Sequence, residues 1–287
     1  MAGAFVPAAM AQEATPGVDL SAYPVVDVTI TDSAYQVKNN QIPAGYILLK
    51  VTNQTKEQTG AGIIGPAAGQ TMDQMQQAAA TPAPNNGFPP FLYTATIAGG
   101  PSDIAPGKTG QQIVHVPAGD WVIFGEGNQP PAPITATKTA DSVSRAPTGD
   151  VVVTETNFLF TGLTDSVQAG NQLWEVTNTS DQPHMLVLAK VPDGTTVDQV
   201  LAVAALPENA TPPAGGLQQS DFNFIGDDVL LQSQNQTVWV PLNLTAGTYV
   251  ALCFVTDPAT GMPHAMEGMI SVFQVGGGAT PEATPVS

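Results

Sequence analysis

The sequence predicts an all-β fold class, two tandem β-sandwiches with one short helix inserted in each. Three observations carry that expectation. Gly and Pro are abundant (28 and 26 of 287 residues) while aromatic residues make up only 6%, a turn-rich composition that suits short strands better than helices. Thr- and Val-rich runs recur between Gly, Pro and Asn turn signals. The third observation is an internal repeat. Ala44-Gly45 to Val51-Thr52-Asn53 matches Ala169-Gly170 to Val176-Thr177-Asn178, Gly69 to Asp73-Gln74 matches Gly194 to Asp198-Gln199, and Ala118-Gly119-Asp-Trp121 matches Ala246-Gly247-Thr-Tyr249. Three matches in the same order point to duplication.

Taken in order, residues 1–21 open with a small-to-apolar run ending in Ala9-Met10-Ala11, which reads as the remnant of a signal peptide followed by a disordered N-terminus. No basic segment precedes that run, which points to a start set too far downstream; the bland alternative is simple disorder. Residues 22–140 form the first sandwich, with a strand over Tyr46 to Val51 entered from an Ala-Gly turn and left through Thr-Asn. Met72 and Met75 recur at helical spacing, so a short helix is expected near Asp73. Residues 141–149, rich in Ser, Ala, Pro and Gly, read as a linker. In 150–275 the strands are expected at Leu173 to Val176, at Trp239-Val-Pro and at Tyr249 to Cys253, with Val197, Val200 and Leu201 marking the helix. The tail 276–287 is low in complexity and reads as disordered.

Charge and cysteine usage narrow the function. The net charge is −17, and between Gly149 and Val275 thirteen acids face one base, Lys190. Residues 22–148 hold eight acids and six bases, so the acidity sits on the second half. Such a balance disfavours nucleic acid and anionic membrane surfaces as partners and would steer a basic protein partner, although solubility alone also explains it. No stretch is long and apolar enough to span a membrane, and the location expected is extracytoplasmic, secreted or periplasmic. One cysteine cannot close an intrachain disulfide, so in an exported chain it is an intermolecular partner, a liability or a metal ligand.

That cysteine opens the most informative segment, Cys253-Phe-Val-Thr-Asp-Pro-Ala-Thr-Gly-Met-Pro-His264-Ala-Met-Glu-Gly-Met269, and a second histidine stands in Asp181-Gln-Pro-His184. Two imidazoles, a thiolate and a thioether are the donor set of a mononuclear electron-transfer copper. Taken singly, Cys253 reads equally as a buried apolar thiol, the histidines as loop residues and the methionines as packing. Taken together they require the only cysteine and two of three histidines to fall in one order by accident. The remaining histidine, His115, reads as an ordinary strand residue.

From about Asp150 to Val275 the chain resembles the cupredoxins, the plastocyanin-like blue copper domains. The matching pieces are Val176-Thr-Asn178 before Pro183-His184, Gly247-Thr-Tyr249 before Cys253, and His264-x4-Met269. The resemblance implies Greek-key sandwiches and one type 1 copper, with His184, Cys253 and His264 as equatorial ligands and Met269 as the axial one; Met266 is the rival thioether. Ten residues separate Cys253 from His264, against two in plastocyanin, although copper nitrite reductases carry a similarly stretched loop. A bulky, shielding loop with turns at Asp257-Pro258 and Thr260-Gly261 is therefore expected. In the first copy Thr59 stands at the place of His184 and Gly125 at that of Cys253, so that copy keeps the scaffold without the ligands.

Ligand counting leads to the expectation that the protein is not an enzyme. A trinuclear cluster or a second catalytic copper needs more histidines than His115 alone can supply, and Leu252 stands where nitrite reductases carry a relaying histidine. The expected function is single-electron carriage between Cu(I) and Cu(II) to a redox partner with a basic docking surface. The alternative is a copper-handling or structural module without a redox partner.

Overall fold

In the computed structural model the described residues are 19–82, 88–125, 127, 129–163, 167–206, 216–226 and 228–276. Of the N-terminal segment 1–21, residues 1–18 lie outside them while Leu20–Ala22 form a 3-10 turn capped by Asp19; of the tail 276–287, residues 277–287 lie outside them and Gly276 ends the last strand. The first half contains β1 (Val25–Ile30), β2 (Tyr35–Val37), β3 (Gln41–Pro43), β4 (Gly45–Asn53), β5 (Ala61–Gly65), α1 (Met72–Ala79), β6 (Thr96–Gly99), β7 (Pro101–Ser102), β8 (Thr109–Val116), β9 (Gly119–Gly125) and β10 (Ala132–Thr137). The second half contains β11 (Val151–Thr156), β12 (Leu159–Thr161), β13 (Val167–Gln168), β14 (Gly170–Asn178), β15 (His184–Val191), α2 (Val197–Ala204), β16 (Asn223–Phe224), β17 (Asp228–Gln232), β18 (Thr237–Leu244), β19 (Gly247–Leu252) and β20 (Ile270–Gly276).

Each half is a two-sheet sandwich, as the sequence pattern requires. In β4 and β14 the inward Ile47, Leu49, Val51 and Trp174, Val176 are fully buried in the main core, while Leu48 and Leu173 are buried on the opposite face. Both helices start where their N-caps dictate. Thr71 and Thr196 each accept the N–H of the glutamine three residues on, and that glutamine's side chain accepts the threonine's N–H. Asp73 and Asp198 fall in the first turn, where the helix dipole favours a carboxylate.

The strand registers make the correspondence of the halves explicit. β1 lies parallel to β4 with Ile30 opposite Asn53, and β11 lies parallel to β14 with Glu155 opposite Asn178. Gly62 pairs with Phe124 across β5 and β9, as Val187 pairs with Leu252 across β15 and β19.

One feature was not legible in the sequence: the halves share their sheets. β8 pairs antiparallel with β18 through Val114 with Val238 and Ile113 with Trp239, joining the inner sheets into eight strands in the order β12-β11-β14-β18-β8-β4-β1-β2. β7 likewise pairs with β17. Equivalent strands meet each other, so a local two-fold relates the halves. Tyr23, Leu48, Ile113, Leu173 and Trp239 close the seam in a core cluster of their own. The segment 138–150 runs along the surface of the first half, where Val143 O accepts the Tyr46 N–H at 2.8 Å.

Candidate metal centre

Local hydrogen bonds bring three of the four sequence-predicted residues, His184, Cys253 and His264, to one point. Asn178, at the end of β14, is fully buried; its Nδ2 donates to Gln182 O (2.8 Å) and Gln232 O (2.9 Å), and its Oδ1 accepts the Ser180 N–H (2.8 Å). This clasp fixes the turn that delivers His184 to the start of β15. Cys253 follows β19, with its N–H bonded to Met269 O and its carbonyl accepting the Ala265 N–H. His264 begins a short 3-10 turn, and Gly268 at φ 116° lets the chain reverse so that the Met269 N–H reaches His264 O at 2.9 Å.

His184, Cys253 and His264 are all fully buried, and one donor atom from each lies within 4.8 Å of the other two. Cys253 Sγ is 3.5 Å from His264 Nδ1 and 3.7 Å from His184 Nδ1, and the two Nδ1 atoms are 3.0 Å apart. The outward nitrogens are held by other side chains. Gln182 Nε2 donates to Asp257 Oδ1 (3.1 Å), so its Oε1 faces His264 Nε2 at 3.0 Å and requires the imidazole proton there. Ser180 directs its one proton to Gln182 O and accepts from His184 Nε2 at 2.7 Å. Both Nδ1 lone pairs then point into the same small space beside a thiol. Two bare acceptors 3.0 Å apart repel each other, and a cation between them removes the conflict.

Burial keeps this cluster uncharged. It holds His184 down to about 3, with His264 adding to the shift, and His264 down to about 4 despite the nearby Asp257. It pushes the Cys253 thiol up to about 12, against N–H bonds from Met185 and Val255, with Glu155 adding to the rise. A metal that takes the thiolate must therefore expel its proton. Met269 is fully buried in the same core cluster as Cys253, whereas Met266 is half-buried.

The long loop folds into a turn closed by the Thr256–Pro263 bridge, and it is tied down on both sides. Asp257, buried in the loop, accepts from Ala259 N–H, Gln182 and Thr260; these bonds outweigh burial and hold its carboxyl below the usual range. Tyr93 of the first half donates its hydroxyl to Thr256 O. Phe158, at the unusual φ of 56°, sets its ring 4.7 Å from the His264 ring. Sequence reasoning missed Ser180, Gln182, Asp257, Phe158 and Tyr93. The available signals were Ser180 and Gln182 within four residues of His184, and Asp257 inside the Cys253 to His264 loop.

The first half has closed the equivalent place. A Cβ added at Gly125 would lie 2.0 Å from Gly60 O and 2.8 Å from the Tyr35 hydroxyl, so no side chain fits where Cys253 stands in the second half. His115 lies on β8, its ring 4.6 Å from that of Tyr46.

No protein-family model matches the chain, and no curated protein matches it. Among solved structures, auracyanin from Roseiflexus castenholzii matches at 26% identity over 43% of this chain and 94% of its own, with a TM-score of 0.30. The Cu-containing nitrite reductase of Thermus scotoductus matches at 9% identity over 92% of this chain and 63% of its own, with a TM-score of 0.24. A blue copper oxidase from Nitrosomonas europaea matches at 14% identity over 88% of this chain and 86% of its own, with a TM-score of 0.23. These last two, which align with both halves, are enzymes; the expectation that the protein is not an enzyme is corrected accordingly. Counting histidines in one chain tests only the sites that this chain could build by itself. The donor set fits one type 1 copper.

Proposed function

We propose, for a chain of two tandem cupredoxin-like β-sandwiches whose second carries this donor set, that it is an exported blue copper protein passing single electrons through a Cu(I)/Cu(II) centre. His184 Nδ1, Cys253 Sγ and His264 Nδ1 are the equatorial ligands in this reading and Met269 is the axial one. The observation that carries it is the convergence of three buried donors whose Nδ1 lone pairs are turned inward by Ser180 and Gln182. Copper, when bound, supplies a one-electron couple. The chain's own part is to hold the donors on strand ends, exclude water with the loop, and limit their movement between oxidation states. The complete burial of Met269 supports it over Met266 as the axial sulfur.

The acidic second half supports a redox partner with a basic docking surface. The internal repeat supports duplication of one unit, with the division at 22–140, 141–149 and 150–275, and the closed place at Gly125 supports a first copy without metal. Adding one equivalent of Cu(II) to the whole chain is expected to give an intense blue or green thiolate-to-copper band, and Cys253→Ser is expected to abolish it. A variant that keeps the colour refutes the assignment. A centre that holds only Cu(I) and cannot be cycled supports copper handling in place of electron transfer.

A further inference from the structure

Glu155 is the one fully buried carboxylate in the second sandwich's core with no partner: it has no exposed surface, and neither of its oxygens has a hydrogen-bond partner among the described residues. The first half supplies an internal control. The register places Glu155 opposite Asn178 and Ile30 opposite Asn53, and Ile30 is equally buried. A second position changes in the same way. Gln232 pairs with His184 where Ile104 pairs with Thr59, and Gln232 Oε1 is also without a partner. The scaffold thus accepts isoleucine at both positions, and only the half that carries the donors buries a carboxyl and an amide there.

An ionised carboxylate in such a core costs several kcal/mol unless a cation compensates it. The titratable groups of the surrounding elements supply none. β12, β18 and β20 carry no titratable residue, and β14 carries Glu175, whose carboxylate accepts the Gly149 N–H at the far end of the strand. Lys190 of β15 is bonded to Thr245 and Ala246, away from the donors, and Tyr249 of β19 is bonded to Thr245. The donor side offers Cys253, His184 and His264, with Asp257 and Glu267 on the loop, and both histidines are neutral. The compensating charge has one source, the metal. With two neutral imidazoles and one thiolate the oxidised copper centre carries a net charge of +1, and the reduced centre carries none.

We propose that Glu155 is the internal counter-charge of the metal centre, ionised against the oxidised metal and protonated when the metal is reduced, so that the reduction potential falls as pH rises. This rests on the reading of the site as a copper centre. The step balances as one electron from an external one-electron donor onto the metal and one proton from solvent onto a Glu155 carboxyl oxygen, with no other bond made or broken. Burial already pushes Glu155 up to about 8 in the metal-free chain, and its charge reaches the Cys253 thiol.

The test is a potentiometric titration of the copper-loaded whole chain between pH 5 and pH 9, followed by the thiolate-to-copper band. The wild type is expected to lose potential over part of that range, at up to about 59 mV for each tenfold fall in proton activity. Glu155→Gln and Glu155→Ile are expected to keep the band, to hold a higher potential at alkaline pH and to flatten the slope. Glu155→Ile restores the residue that the first half already packs. A slope that persists in both variants, or a wild-type potential that does not change with pH, overturns the proposal while leaving the copper centre standing. Failure to develop the band in wild type overturns the underlying site instead.

Discussion

His184, Cys253 and His264 are neutral in the metal-free chain chiefly because they are buried, and that fixes how copper loading depends on pH. The thiol proton is held up to about 12 and the histidines titrate at about 3 and 4. Between pH 5 and pH 8 binding of Cu(I), which leaves Glu155 protonated, therefore releases one proton, from Cys253, and the apparent Kd for Cu(I) is expected to fall about tenfold per pH unit. A competition titration with a chelator of known pH behaviour checks this, and an affinity that does not change with pH contradicts it. Below pH 4 histidine protonation is expected to steepen the loss. Asp257 acts one bond further out: it orients Gln182, which fixes His264 Nε2. Asp257→Asn is expected to weaken copper binding by about 10- to 100-fold, the usual cost of losing a partner behind a metal ligand. The donors themselves were legible in the sequence because rare residue types fell in a rare order. Ser180, Gln182 and Asp257 were not, because polar residues in an Asn-Thr-Ser-Asp-Gln-Pro turn or a Thr-Asp-Pro turn look like any solvated loop until their partners are known.

At the scale of elements, the turn signals located β4, β14 and β19, and helical spacing located α1 and α2. The turns and caps that start and end these elements are set by adjacent residues, so local pattern decides their limits even where the strands pair far along the chain. The loop 254–263 follows a different rule. Its length was visible, but its conformation depends on Tyr93, which lies 163 residues before the Thr256 carbonyl that it binds. Tyr93→Phe removes that one bond and is expected to cost about 1 kcal/mol of stability. Amide hydrogen exchange should rise in residues 254–263 while the copper band keeps its position. Unchanged exchange would show that the loop is held by Asp257 and Phe158 alone. The first half illustrates the opposite outcome of the same scaffold. Its equivalent strands approach until Gly60 O fills the space of a side chain at Gly125, so the half without the ligands also lacks the space for one there.

Across the whole molecule, the correspondence of the two halves was readable from matched motifs, whereas the shared sheets were not. Pairing of β8 with β18 joins residues more than a hundred apart, and neither strand carries a mark distinguishing this partner from solvent. Among the described residues the one cluster of His, Cys and carboxylate donors lies in the half whose core holds Glu155 and Gln232 where its counterpart holds isoleucines. X-ray absorption at the copper edge of the whole, singly loaded chain tests this account most directly. One copper per chain is expected, with one short sulfur ligand and two imidazole nitrogens, all lost together in Cys253→Ser. A first shell without sulfur, or a second copper bound with equal strength, would contradict it.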